Sequence, residues 1–241
     1  MGAIELSPAT IEITVERTEI EILGPDQIKT VLNRLKGRPL YPVTVLGLAT
    51  GMRRGELCAL RWKDVDLDGG KVRVEQSLEQ TRGELSAEAP KSRRPVVLRF
   101  KSPKTKAGRR IVTIPPSVVS ELRTHWRQQQ EQRLALGLGG ASGDDLVFAR
   151  HDGSPYAPDS LTWDWARTVR LLKLPMVTFH ALRHTHASQL IASGLDVASV
   201  SRRLGHSNPT VTLRVYAHLF GATDERAANV IEAAMAGILS E

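Results

Sequence analysis

The spacing of apolar residues changes twice along the chain, and this change limits the fold more than any other feature of the sequence. Ile28, Val31, Leu32 and Leu35 fall at i, i+3, i+4 and i+7, the stripe of an amphipathic helix. Apolar and polar residues then alternate over 71–76, which predicts a strand. Helical spacing returns further on. The sequence therefore predicts a mainly α fold with a small antiparallel β-sheet (α+β), without the strand–helix alternation of a parallel sheet.

The same patterns set approximate bounds for the elements. Helices are predicted over residues 25–35, 41–49, 55–62, 117–136, 160–172, 180–193, 197–204, 208–216 and 223–239, and strands over 71–76, 96–100, 110–114 and 146–148. Residues 101–109 are predicted to form the tip of a basic hairpin, and residues 81–95 a mobile basic loop. Residues 1–22 are interpreted as an N-terminal tail or the remnant of an interdomain linker, and residues 23–241 as one domain.

The charge of the chain favours an anionic partner. The formal net charge is +7 and the isoelectric point is about 9.8. Such a protein attracts polyanions, of which nucleic acid is the usual one, although many soluble proteins are simply basic.

The single cysteine, Cys58, excludes an internal disulfide and a cysteine-based zinc site. The sequence shows no apolar run of membrane-spanning length and no signal peptide, so we expect a cytoplasmic protein with no membrane contact.

Two segments in the first half of the chain concentrate residues that bind phosphate. Arg53 lies just before a predicted helix, where its guanidinium can present two donors to phosphate oxygens, and Glu56 could brace it. The alternative is a surface arginine with a helix-start glutamate. In the basic segment 101–109, Lys104 could hand a proton to a leaving oxygen. The alternative is that the cations of this region, Lys101, Lys104, Lys106, Arg109 and Arg110, make only DNA backbone contacts.

A third segment contains three histidines around an arginine. His180 and Arg183 share one face of a predicted helix, a pairing suited to a phosphate whose charge grows during attack, whereas Leu182 points toward the core. His180 and His184 have the spacing of a zinc pair, but Ala181 stands where a metalloprotease has glutamate, so we expect no metal. We expect His184 and His186 to be structural, bonding to neighbouring backbone.

The order of these segments, completed by His206 and Tyr216, resembles the tyrosine recombinase (phage integrase) family. A buried tyrosine with a satisfied hydroxyl would be the ordinary interpretation of Tyr216 taken alone. The resemblance runs from about residue 23 to about residue 219 and is carried by Thr50-Gly-Met-Arg53-Arg-Gly-Glu56-Leu, Pro103-Lys104-Thr105, His180-Ala-Leu-Arg183-His184, Leu204-Gly-His206-Ser207 and Val215-Tyr216-Ala-His218.

The resemblance implies a catalytic domain that cuts and rejoins DNA through a 3′-phosphotyrosine, without metal, ATP or another cofactor. It implies that Arg53 and Arg183 clamp the scissile phosphate and that His206 adds a hydrogen bond. The remaining implied roles are Lys104 as the acid for the 5′-oxygen, His180 as a group that helps accept the proton of the nucleophile Tyr216, and Glu56 as a supporting residue. Further DNA contacts are expected from Arg54, Lys101, Lys106 and Arg109.

The family usually carries an N-terminal helical domain that clasps the other face of DNA, so we expect weak, salt-sensitive DNA binding from this chain. The resemblance also implies a tetramer on double-stranded DNA in the nucleoid, with the isolated chain a monomer. We expect the helix over 223–239 to pack in trans in the tetramer and to fold back in cis in the monomer. The alternatives are a type IB topoisomerase, an accessory DNA-binding module without catalysis and a metal-dependent nuclease.

Overall fold

The structure, a computed structural model, describes residues 21–83, 95–103, 105–220, 223–236 and 238. Within these residues the chain is mainly helical, as predicted. The α-helices of this part are α1 (Pro25–Leu35), α2 (Tyr41–Thr50), α3 (Arg54–Cys58), α4 (Pro116–Ala135), α5 (Pro158–Leu171), α6 (Ala181–Ala192), α7 (Val197–Leu204), α8 (Pro209–Tyr216) and α9 (Thr223–Met235). The strands are β1 (Val65–Asp66), β2 (Lys71–Val74), β3 (Ser77–Arg82), β4 (Val96–Lys101) and β5 (Arg110–Thr113).

The strands form two small antiparallel sheets rather than one. One sheet has the order β1-β2-β5, and the other pairs β3 with β4. The predicted hairpin between β4 and β5 is therefore wrong. The physical reason is β3, a polar strand that the apolar pattern did not reveal. It pairs with β4 along the whole length of that strand, from Ser77↔Lys101 to Arg82↔Val96. Strand β5 pairs instead with β2, where Val72 lies opposite Val112 and both are buried.

The helix predicted over 55–62 ends early. Helix α3 stops at Cys58, and Trp62–Asp64 forms a separate 3-10 turn. The backbone between them bonds to a distant segment: the Val147 amide donates to the Leu60 carbonyl at 2.8 Å, and the Trp62 amide donates to the Asp145 carbonyl at 3.0 Å. This pairing also accounts for the strand predicted over 146–148, which the structure reduces to a single bridge between Arg61 and Leu146.

Two hydrophobic clusters hold the described chain together. The larger one gathers buried side chains from α1 to the start of α6, with Leu182 among them as expected. The smaller one contains Ala187, Ile191, Val200, Leu204 and Tyr216, from α6, α7 and α8. Helix α6 thus spans both clusters. Tyr216 lies in the smaller cluster with only 2% of its surface exposed, so its position depends on the packing of three short helices.

Helix α9 extends from the domain without burying its apolar stripe. Every side chain described over 228–236 is exposed, including Val230 at 62% and Ile231 at 57%. The predicted folding back in cis is therefore wrong for these residues. Most of the predicted N-terminal tail and most of the predicted basic loop lie outside the described residues. In the described part of the chain, no helix combines the length and apolar character needed to cross a membrane.

Candidate functional site

Two glycine turns bring together the helix ends that form the site. Helix α2 ends at Gly51 with φ 64°, and α7 ends at Gly205 with φ 68°, a left-handed conformation that favours glycine. A methyl group at Gly51 would lie 2.6 Å from His186, and one at Gly205 would lie 2.6 Å from Arg110. Both turns need glycine for space as well as for conformation, and each presents its carbonyl to an arginine.

Arg53 is placed by the start of α3. It is the N-terminal cap residue of that helix, and Glu56, three residues on, bonds to it twice. The Arg53 amide donates to Glu56 Oε2 at 2.8 Å, and Arg53 Nη1 lies 3.0 Å from Glu56 Oε1. Arg53 Nη2 also donates to the Gly205 carbonyl at 3.2 Å. With 41% of its side chain exposed, Arg53 has donors left for a ligand.

A second arginine holds Glu56 from the other side. Arg110 makes two contacts with the Glu56 carboxylate, Nη2 to Oε2 at 2.8 Å and Nη1 to Oε1 at 3.1 Å. Both side chains are almost fully buried, 6% exposed for Arg110 and 5% for Glu56. Arg110 Nε donates to the Arg203 carbonyl at 2.8 Å, which ties β5 to α7. Although burial opposes ionisation of the Glu56 carboxyl, its pairing with Arg110 and Arg53 leaves its pKa below the ordinary value.

The alternative that Arg110 contacts the DNA backbone is wrong, because its side chain is buried against Glu56. Sequence reasoning missed this structural role, and one signal could have found it. Strand side chains alternate between faces, so Arg110 shares the inward face of β5 with the buried Val112.

Arg183 completes the cationic group. It is 4% exposed; its Nη1 donates to the Gly51 carbonyl at 2.6 Å and its Nη2 to the Leu204 carbonyl at 2.8 Å. Burial, followed by the nearby Arg53, lowers the pKa of Arg183 to about 9, so the side chain is still charged at neutral pH. We call Arg53, Arg110, Arg183 and Glu56 the arginine cluster. The cluster has three guanidinium groups and one carboxylate, which bonds to Arg53 and Arg110, and this excess of positive charge suits a bound anion.

His206 joins the arginine cluster to helix α8. Its Nε2 lies 2.9 Å from Arg183 Nη2, and its Nδ1 lies 2.8 Å from the hydroxyl of the fully buried Thr212. Burial, then Arg183, lowers the pKa of His206 to about 4, so its imidazole is neutral at pH 7. Because an arginine only donates, Nε2 accepts and the ring proton sits on Nδ1, facing Thr212.

The Tyr216 hydroxyl forms a hydrogen bond with a histidine that was expected to bond to neighbouring backbone. The Tyr216 hydroxyl lies 2.7 Å from His184 Nδ1, so the expectation that His184 bonds to backbone is wrong. The same expectation is confirmed for His186, which lies 2.8 Å from the Leu48 carbonyl. His180 is exposed, and its ring meets the His184 ring edge-on with centroids 4.8 Å apart. Burial raises the pKa of Tyr216 to about 12, which keeps the phenol protonated at neutral pH.

The cations expected to contact DNA have protein partners where the structure describes them. Arg54 bonds to Thr162 and pairs with Asp159 at 3.3 Å; Lys101 pairs with Glu79, and Arg109 lies 3.9 Å from Glu75. These three cations are 37%, 47% and 61% exposed and keep solvent-facing donors. Lys104 and the side chain of Lys106 lie outside the described residues. The structure thus brings together Arg53, Arg183 and His206, with His180, His184 and Tyr216 beside them.

Comparison of the sequence with known proteins finds relatives among recombinases and integrases. The model of the Phage integrase family matches residues 21–222. The chain is 32% identical over 214 residues to a tyrosine recombinase XerC-like protein of Caldanaerobacter subterraneus subsp. tengcongensis, a match that covers 88% of this chain and 54% of the relative. It is 26% identical to the ICEBs1 integrase of Bacillus subtilis, over 86% of this chain and 53% of that protein. The chain therefore spans about half the length of these curated relatives.

Solved structures show the same fold. The Tn1549 transposon integrase in complex with circular intermediate DNA superimposes with a TM-score of 0.67 at 26% identity, over 90% of this chain and 68% of that one. The same integrase with transposon right end DNA gives a TM-score of 0.71 at 24% identity, over 91% and 68% of the two chains. The predicted α+β fold class is confirmed by these superpositions.

Proposed function

Because the chain belongs to the phage integrase family of tyrosine recombinases, we propose that it breaks and rejoins DNA strands through a 3′-phosphotyrosine at Tyr216. The observation that carries the proposal is the arginine cluster. Two guanidinium groups from distant parts of the chain, Arg53 and Arg183, both donate to the turn at residues 204–205. Thr212, on the helix that ends at Tyr216, bonds to His206 beside them. A phosphate bound at this turn would contact the two guanidinium groups and lie beside the helix that carries Tyr216.

Each member of the site has a distinct proposed role. Arg53 and Arg183 bind the non-bridging oxygens of the scissile phosphate, and their charge offsets the charge that grows on those oxygens during attack. When a phosphate binds, Arg183 turns from His206 Nε2 to the phosphate, and His206 takes up a proton at Nε2 and donates a hydrogen bond to the same phosphate. His180 approaches the phosphate from the start of α6. Lys104 protonates the departing 5′-oxygen. Glu56 holds Arg53 in place, since it bonds to both the backbone and the side chain of that residue.

The chemistry needs no external energy source. When Tyr216 attacks phosphorus, one phosphodiester bond replaces another, and a 5′-hydroxyl can later attack the phosphotyrosine and restore the DNA. Cationic side chains supply the charge stabilisation that a metal ion provides in other phosphoryl-transfer enzymes.

Double-stranded DNA is the proposed partner, and the Tn1549 integrase, 26% identical to this chain, is known in complex with circular intermediate DNA. The net charge of +7 supports electrostatic attraction to the phosphate backbone. We expect binding by this chain alone to be weak and to fall steeply with salt. Nanomolar, sequence-specific binding at physiological salt would contradict this expectation.

The exposed stripe of α9 supports assembly on DNA. Val230, Ile231 and Met235 are all more than 40% exposed, and apolar side chains so placed on one helix are ordinarily covered by a partner. We propose that α9 packs against a second copy in a homotetramer on DNA, while the free chain is a monomer.

A trapping experiment tests the function. A library of nicked duplexes with randomised sequence around the nick is incubated at low salt, in EDTA, with the 241-residue chain or its Tyr216→Phe variant. Cleavage next to the nick releases a short oligonucleotide, so the protein stays covalently attached and survives detergent. We expect adducts with the wild type and none with Tyr216→Phe, and the captured DNA identifies the target sequence. Absent adducts, or equal adducts with both proteins, would refute the proposal.

Two further arms separate the alternatives. Cleavage that EDTA abolishes would indicate a metal-dependent nuclease. Relaxation of supercoiled plasmids that lack the captured sequence, at the rate found for plasmids that carry it, would indicate a topoisomerase. DNA binding without any adduct would indicate an accessory module.

A further inference from the structure

We infer that His184, and not His180, takes the proton from Tyr216 in the cleavage step. This inference rests on the proposed function and adds a catalytic residue to it. The carrying observation is geometric: His184 Nδ1 lies 2.7 Å from the Tyr216 hydroxyl, a direct hydrogen bond to the atom that attacks phosphorus. A general base must lie within this reach of the proton that it removes.

The burial of the pair strengthens the assignment. Tyr216 is 2% exposed and sits in the cluster formed by α6, α7 and α8, so bulk water has little access to its hydroxyl. A phenol in this position loses its proton most directly to a neighbouring side chain. Burial, then His180 and Arg183, lowers the pKa of His184 to about 4, so its ring is neutral at pH 7 and one nitrogen carries a lone pair. We place that lone pair at Nδ1, facing the phenol.

His180, the N-terminal cap residue of α6, and His184 within that helix have different neighbours. Burial, then the charges of Arg183, Arg53 and Arg54, lowers the pKa of His180, and two of these arginines, Arg53 and Arg183, are the proposed phosphate ligands. His184 lies one helical turn further on, between His180 and Tyr216, with ring centroids 4.8 Å and 5.7 Å from theirs. This order suits His180 as a phosphate contact and His184 as the proton acceptor.

The step balances in atoms and charge. The bond from Tyr216 Oη to phosphorus forms as the bond from phosphorus to the 5′-oxygen breaks. The Tyr216 proton moves to His184 Nδ1, and the 5′-oxygen takes a proton from the acid, which we propose is Lys104. Proton transfer occurs together with attack, because a free phenolate with a pKa of about 12 and an imidazolium with a pKa of about 4 would be a costly intermediate pair. Rejoining returns the proton from His184 to Tyr216.

Substitutions at His184 test the inference in single-turnover cleavage of a nicked duplex captured by the trapping experiment. We expect His184→Ala to slow cleavage by a factor on the order of 10² to 10⁴, the usual range for a general base. His184→Gln keeps an acceptor for the phenol but has no basicity, so it should remain slow. Added imidazole should partly restore His184→Ala. Thermal melting of each variant confirms that the chain is folded.

A modified leaving group separates base from acid. In a duplex with sulfur in place of the bridging 5′-oxygen, the leaving thiolate needs no proton. We expect this substrate to restore Lys104→Ala and to leave His184→Ala slow. Wild-type rates for His184→Gln would show that His184 only positions Tyr216. Wild-type rates for His184→Ala with a large loss for His180→Ala would move the base to His180. Either outcome overturns this inference while leaving the phosphotyrosine proposal intact, which fails only if the wild type forms no adduct.

Discussion

The two sides of the site are built in different ways. On the arginine side, Glu56 is held by two arginines, and Arg183 donates to carbonyls at the ends of α2 and α7. On the tyrosine side, the Tyr216 hydroxyl bonds to His184 within a small cluster, and an exposed helix follows a few residues later. The first side has many mutually dependent polar contacts, and the second has few.

This difference indicates how the site divides its work. Binding a phosphate requires guanidinium groups that are already in place, since a buried charge without partners is costly. Attack requires a tyrosine that can move relative to the phosphate and later carry a strand. We therefore expect changes to the polar contacts of the arginine side to affect folding strongly, and changes to the exposed helix that follows Tyr216 to affect it little.

The largest effect is expected from Glu56→Ala. It leaves the buried Arg110 without its carboxylate, and removing one partner of a buried ion pair costs about 3–5 kcal/mol. Urea unfolding measures the change. Arg109→Ala is the matched control, because Arg109 is 61% exposed and lies 3.9 Å from its carboxylate, so it should cost less than about 0.5 kcal/mol. Equal losses for the two variants would show that the buried ion pairs of Glu56 stabilise the fold no more than an exposed one.

A pH effect should come next, through His186. Burial, then Arg203, lowers its pKa to about 4, with Arg183 also acting on it, against about 6.5 in an unfolded chain. Between these values the unfolded chain binds a proton that the folded chain does not. His186 should therefore contribute a fall of roughly 2–3 kcal/mol in the unfolding free energy as pH drops from about 6.5 to about 4, beside the contributions of His184 and His206, whose pKa values are also about 4. His186→Gln, which can still bond to Leu48 and Arg203 but does not titrate, should show a shallower fall. Parallel curves would contradict the prediction.

A smaller effect is expected from Thr212→Val, which cuts the hydrogen bond between the two sides. The half-buried N–H of His206 then loses its acceptor on the fully buried Thr212, at a cost of about 1–2 kcal/mol in urea unfolding. Thr212→Ser keeps the hydroxyl and should recover the part of this loss that comes from the hydrogen bond. If Thr212→Ser and Thr212→Val lower the unfolding free energy equally, the hydrogen bond between His206 and Thr212 does not stabilise the contact between the two sides.

The smallest effect is expected from deleting residues 228–241. The side chains described over 228–236 are exposed, so the unfolding free energy should change by less than about 0.5 kcal/mol. Assembly on DNA should be lost, which gel mobility can follow. A fall of more than about 1 kcal/mol would show that α9 supports the fold, and unchanged assembly would contradict its proposed role between copies.

Much of the fold could be predicted because helix signals are local. The apolar stripe that ends at Leu35 predicted a helix whose bounds the structure reproduces, and the helix predicted over 208–216 agrees with α8 within one residue. The partner of β5 could not be predicted, since strand pairing depends on residues far apart in sequence. The polar strand β3 carried no apolar pattern and displaced the expected hairpin. Likewise, Arg109 and Arg110 look alike in sequence, and only the strand geometry buries one of them.

The sequence alone determined the helical character of the chain and its positive net charge, because each follows from composition or from spacing within a few residues. The candidate site residues came from the order of five separated motifs that resemble one family. Only the tertiary structure decided which side chains meet. It paired Glu56 with Arg110 and chose His184 over His180 as the neighbour of Tyr216. The reason is that these contacts join helices and strands whose relative positions are set by packing in the two hydrophobic clusters, and side-chain packing is a property of the whole fold.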